Sequence, residues 1–106
     1  MIEWTDQATS QLDHAHDYIV LSNSEDVAAR VTMQIVASVQ RLASFPMLGR
    51  AGRVPGTREL VITKIPFVVA YTVGPERVVI LAIYHGAQQW PEFYKLHNAD
   101  WSHESV

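Results

Sequence analysis

The sequence predicts a single α+β domain: a helical hairpin packed on a mostly antiparallel sheet, with a short C-terminal helix. Three observations carry that expectation. Apolar residues recur at helical spacing as far as Leu42, a Gly/Pro-rich break runs from Pro46 to Thr57, and the period then falls to two. The chain has 106 residues, 48% apolar and 18% charged, which is the balance of one globular domain. At that length folding hides roughly 60–70% of the accessible surface, enough for a core without cross-links.

Each element has its own signal. Ile2-Glu3-Trp4 reads as a first strand, and Thr5 or Asp6 as the cap of a following helix. Ala8, Leu12, Ala15 and Ile19 then mark one face of a helix of about four turns. Ser22-Asn23-Ser24-Glu25 has the Ser-x-x-Glu spacing of a capping box, with Glu25 and Asp26 suited to the positive end of a helix dipole. Ala28, Val31, Ile35, Val39 and Leu42 form the apolar stripe of a second helix, which Pro46 stops. Gly49, Gly52, Pro55 and Gly56 argue against regular structure in the next stretch.

Beyond the break, Arg58-Glu59-Leu60-Val61-Ile62 alternates as a strand, with Arg58, Leu60 and Ile62 on one face. Phe67–Val73 is a second strand and Gly74-Pro75-Glu76 a turn. Val78–His85 is a third strand, apolar on both faces and so expected at the centre of the sheet. Residues 88–96 supply the short C-terminal helix. The order read from sequence is β-α-α-β-β-β, with one domain over residues 1–96 and a flexible tail over 97–106.

Composition narrows the function classes. There is no cysteine, so neither a disulfide nor a thiolate metal site is available. His14 and His16 are two apart and do not share a helix face, and no zinc-like cluster is present, so no metal or other cofactor is expected. Gly49-x-x-Gly52 lacks the lysine and the helix of a phosphate-binding loop. The longest unbroken apolar run, Val78 to Tyr84, is seven residues, far short of the ~20 that span a bilayer. Met1-Ile2-Glu3-Trp4 has no signal-peptide character, and a cytoplasmic location away from membranes is expected.

The net charge is −3 but unevenly spread. Residues 1–26 hold six acids and no Lys or Arg, whereas residues 41–64 hold Arg41, Arg50, Arg53, Arg58 and Lys64 against Glu59 alone. The basic character is concentrated in one short segment.

Taken in order, these words resemble the RelE/ParE toxin superfamily of type II toxin–antitoxin modules. The resemblance runs from Ile2 to about Tyr94. It rests on Trp4-Thr5, Phe45-Pro46-Met47-Leu48-Gly49-Arg50, Gly52-Arg53 and Gly56-Thr57-Arg58-Glu59-Leu60-Val61. It continues through Pro66-Phe67-Val68-Val69-Ala70-Tyr71 and His85-Gly86-Ala87-Gln88-Gln89-Trp90-Pro91. The resemblance implies a growth-inhibiting toxin with a cognate antitoxin as partner. It leaves the target open: RelE-type members cut mRNA on the ribosome, and ParE-type members inhibit DNA gyrase without hydrolytic chemistry.

For metal-free RNA cleavage, Arg58 is the candidate cation on the scissile phosphate, since a guanidinium holds two phosphate oxygens at once. His85 is the candidate general acid or base, being the side chain near the strands whose ordinary pKa lies near neutrality. Each has a structural alternative: Arg58 paired with Glu59 or the tail, and His85 closing its strand. Tyr84 alternates away from His85 and is expected in the core. Arg50, Arg53 and Lys64 are candidates for binding RNA or another target, or for pairing with acidic groups of this chain or an antitoxin. Trp90 and Tyr94, four apart, either stack on bases or pack the last helix on the sheet. The expected function is ribosome-dependent mRNA cleavage. The alternatives are non-enzymatic inhibition of gyrase and an inactive toxin retained as an antitoxin-binding protein. Only two lysines and a pI of about 5.9 count against a strongly RNA-binding surface.

Overall fold

A computed structural model describes residues 1–62 and 64–86. The expected short C-terminal helix, Trp90, Tyr94 and the 97–106 tail lie outside the described residues. Within them the elements are β1 (Ile2–Trp4), α1 (Asp6–Ser22), α2 (Glu25–Gln40), a 3-10 turn (Arg41–Ala43), β2 (Arg50–Ala51), β3 (Arg58–Val61), β4 (Phe67–Val73) and β5 (Val78–His85). The five strands form one sheet in the order β1-β5-β4-β3-β2. β1 runs parallel to β5, and the other three pairings are antiparallel.

The α+β expectation holds, with one correction to the element order. The Gly/Pro break contains a two-residue strand, β2, whose Arg50 and Ala51 register against Glu59 and Arg58. Gly52 and Thr57 close the connecting loop, Gly52 N donating to Thr57 O at 2.8 Å. Two residues are too few for a periodic signal, so the break masks the strand.

The helix starts follow from their caps. Thr5 Oγ1 accepts from Ala8 N at 3.1 Å and donates to Ile80 O at 2.8 Å, so one hydroxyl starts α1 and ties it to β5. The second cap is Ser24, accepting from Val27 N at 3.1 Å. Ser22 is not the cap that the Ser-x-x-Glu spacing suggests. It is still part of α1 and donates to Tyr18 O. Glu25 and Asp26 do occupy the first turn of α2.

The main core lies between the helices and one face of the sheet. Ala8, Ile35, Val39, Leu42, Val69, Tyr71 and Ile80 are fully buried there. A second, smaller cluster of Val68, Ala70, Ala82 and Tyr84 lies on the opposite face, with Val54 of the β2–β3 loop packed on it. A β-bulge decides which β5 residues belong to which cluster. Ala70 registers with Ala82 but Tyr71 with Ile80, leaving Leu81 as the extra residue. Side chains therefore change face at that point: Val78, Ile80 and Ile83 face the main core, and Ala82 and Tyr84 face away.

Candidate functional site

The strand registers separate the candidate residues into two groups. At one end, Arg58 begins β3 opposite Tyr71, and Arg50 and Arg53 lie just beyond it on β2 and its loop. At the other end, His85 is opposite Phe67. Lys64, with φ 73°, sits in the β3–β4 turn beside that second end. Arg58 and His85 are separated by four residues along β4 and by two strand spacings, so their backbones are roughly 16 Å apart.

Arg58 also points away from His85. Its Nε donates to Gly49 O at 3.0 Å, and one terminal nitrogen donates to both Gly49 O and Met47 O. Gly49 precedes β2, on the outer side of β3. The guanidinium holds a loop, and the structure does not bring it to one phosphate with His85. Nor does it pair with Glu59, the partner the sequence suggested.

Glu59 instead organises the β2 loop. Its side chain is 1% exposed, on the face remote from the helices. One carboxylate oxygen accepts from an Arg50 terminal nitrogen at 3.2 Å and the other from Arg53 N at 3.0 Å. A buried carboxylate needs such donors to offset lost hydration. Arg50 itself remains more than half exposed. Sequence reading passed over Glu59 as an organising residue, although an acid alternating with Val61 inside a strand was a usable signal.

Tyr84 is core, as expected, and lies in the electrostatic reach of this cluster. Burial first, and the negative charge of Glu59 second, push its phenol up to about 12, while Arg53 and Arg50 pull the other way. A raised folded-state pKa means stability that is intact below about pH 10 and falls between about pH 10 and 12, where the unfolded chain releases the proton more readily. Two pH units correspond to roughly 2–3 kcal/mol. Tyr84→Phe is therefore expected to lose less stability than the wild type across that window. Urea unfolding of both proteins from pH 9 to 12 checks this, and parallel curves would contradict it.

His85 is exposed and sits on the helix-facing side of β5, its ring edge-on to Phe67 with centroids 5.7 Å apart. It lines the rim of a groove of about 660 Å³ between the helical hairpin and the β3–β4 turn. Ala15, Ile19, Val27, Val31, Ile65, Phe67 and Ile83 make its walls apolar, while Gln11, His14, Tyr18, Asn23 and His85 contribute polar groups. Gln11 Oε1 accepts from Ile83 N at 2.8 Å, and its Nε2 is buried without a hydrogen-bond partner among the described residues.

The described residues thus place a groove at one end of the domain and an arginine-braced loop at the other, with Arg58 and His85 at opposite ends. Residues 2–90 match the model of the family described as ParE toxin of type II toxin-antitoxin system, parDE. The chain belongs to the ParE toxin family. This ParE-family chain is 42% identical over 91 residues to a Sinorhizobium fredii protein named "Putative toxin Y4kP", a match covering 86% of this chain and 93% of that one. Its fold matches a structure titled "Chromosomal ParDE TA system from P. aeruginosa", with a TM-score of 0.73 and 29% identity. That match covers 79% of this chain and 92% of the other. Among the described residues of this ParE-family member, no helix is long and apolar enough to cross a membrane.

Proposed function

We propose that this chain is the growth-inhibiting toxin of a ParDE-type module, and that it acts by binding DNA gyrase without cutting RNA. One observation carries the reading: the Arg58 guanidinium is bound to the carbonyls of Met47 and Gly49, at the opposite end of the sheet from His85. Cleavage needs a proton-transfer group and a charge-stabilising group at the same phosphate. The family match and the ParDE structural relative support the same choice over ribosome-dependent mRNA cleavage. In this reading a cognate antitoxin silences the toxin. The apolar groove with a polar rim has the chemistry to take an amphipathic segment of that partner. The protein works in the cytoplasm, where gyrase is found, and needs no cofactor.

His85→Ala is expected to remain as toxic as the wild type when expressed without antitoxin. The measurement is incorporation of labelled thymidine and labelled amino acid within minutes of induction, beside inhibition of purified gyrase on relaxed plasmid. Early loss of DNA synthesis by both proteins supports the reading. Early loss of translation that His85→Ala abolishes would restore the ribonuclease. Normal growth with the wild type would leave an inactive toxin that only binds its antitoxin. Arg58→Ala is a poor discriminator, because it also releases the loop that the guanidinium holds.

A further inference from the structure

Phe45, Met47 and Leu48 expose 60%, 63% and 41% of their surfaces. Three large apolar side chains within four residues form a patch that a soluble domain ordinarily hides. The chain that displays them is firmly held. Leu48 N donates to Phe45 O at 3.1 Å, closing a turn around Pro46. The buried Tyr71 hydroxyl donates to Pro46 O and accepts from Gly49 N, each at 2.8 Å. Arg58, the strand neighbour of Tyr71, also holds the carbonyls of Met47 and Gly49. A loop already fixed in one shape gives up little entropy when a partner covers it.

The surroundings of the patch are cationic. Phe45 N donates to Arg41 O at 2.9 Å, placing that arginine one turn away, and Arg50, Arg53 and Arg58 follow. From Arg41 to Glu59 the chain carries four arginines and one acid, a net +3. The acid, Glu59, is buried on the face remote from the helices, where its carboxylate is bound by Arg50 and the Arg53 amide. The groove is distant: α2 runs from the groove to the loop, and its 16 residues span about 24 Å.

We propose that Phe45, Met47 and Leu48, flanked by Arg41 and Arg58, are the surface that grips the toxin's cellular target, an acidic protein face with an apolar pocket. The target and the antitoxin then meet different ends of the domain. Apolar anchors inside a charged rim match protein–protein contacts. A nucleic acid suits the patch less, since Met47 and Leu48 cannot stack on bases as aromatic rings do. This inference rests on the reading above that the target is a protein.

The test uses Phe45→Ser/Met47→Ser and, separately, Arg41→Glu, each purified with its antitoxin. Exposed positions are expected to leave the melting temperature of the complex unchanged and antitoxin affinity within about twofold. Expressed alone, each variant is expected to need at least ~10-fold more protein to halt growth, and to inhibit purified gyrase ~10-fold less. Undiminished toxicity overturns the proposal, as does loss of antitoxin affinity, which would place the loop in that interface. A wild type that binds plasmid DNA or ribosomal RNA, with affinity falling in both variants, overturns it in favour of nucleic acid. A wild type without toxicity removes target and proposal together. If the wild type leaves gyrase untouched while both variants lose toxicity, the gyrase reading falls and the loop stands as the contact for another protein.

Discussion

Gly49→Ala is expected to lower the unfolding free energy by about 3 kcal/mol, from overpacking alone. A Cβ at that position would lie 2.7 Å from the Tyr71 hydroxyl oxygen and 2.8 and 2.9 Å from the carbonyl oxygen and carbon of Glu59. The hydroxyl is pinned by two hydrogen bonds. The Glu59 carbonyl belongs to β3 and cannot retreat without disturbing its pairing with β2. A loss of that size corresponds to a fall in melting temperature of roughly 10–20 °C. Calorimetry of the purified variant decides it: a loss below about 1 kcal/mol would mean that the loop gives way easily.

Tyr71→Phe is expected to cost about 2–4 kcal/mol although the ring, and so the core volume, is kept. The residue is fully buried, and its oxygen serves both Gly49 N and Pro46 O. Removing it leaves a donor and an acceptor without partners, which costs more than the net worth of two ordinary bonds. Urea unfolding measures the loss. Because both substitutions act on one loop, the double variant is expected to lose less than the two losses added together. Strict additivity would show that Gly49 and Tyr71 do not act as a unit.

Much of the fold was legible because it depends on local pattern. The stripe from Ala28 to Leu42 marks α2, and β-branched runs between turn residues mark the strand limits Phe67–Val73 and Val78–His85. What escaped depends on contacts distant in sequence. β2 exists because Glu59 and Arg58 offer it an edge, not because Arg50-Ala51 favours a strand. The bulge at Leu81 answers to the pairing with β4, and nothing in Val78–His85 announces the change of face.

The candidate site was legible in its residue types but not in its grouping. Arg50 and Arg53 do share a region with Arg58, whereas Lys64 lies at the far end with His85. Arg58 read as a phosphate ligand because its partners, two backbone carbonyls, leave no trace in a sequence. Tyr71 and Glu59 looked like ordinary strand residues, yet they and Arg58 set the shape of the 46–53 segment.

The parallel pairing of β1 with β5 bears on how the protein comes into being. Ile2 registers with Val78, and Thr5 N donates to Ile80 O across 75 positions of chain. During synthesis the helical hairpin and the β2–β4 ribbon can form early, from neighbours in sequence. The strand that joins them, with β1 on one side and β4 on the other, is made after all of them. Contacts of such long range are slow to close, since the loop entropy is lost before the pairing is gained. Until β5 arrives, β1 has no strand to lie against and Gln11 has no Ile83 amide to hold. The groove, bordered by Ile83 and His85, is therefore among the last features to exist, and an antitoxin that seats there would meet only finished molecules.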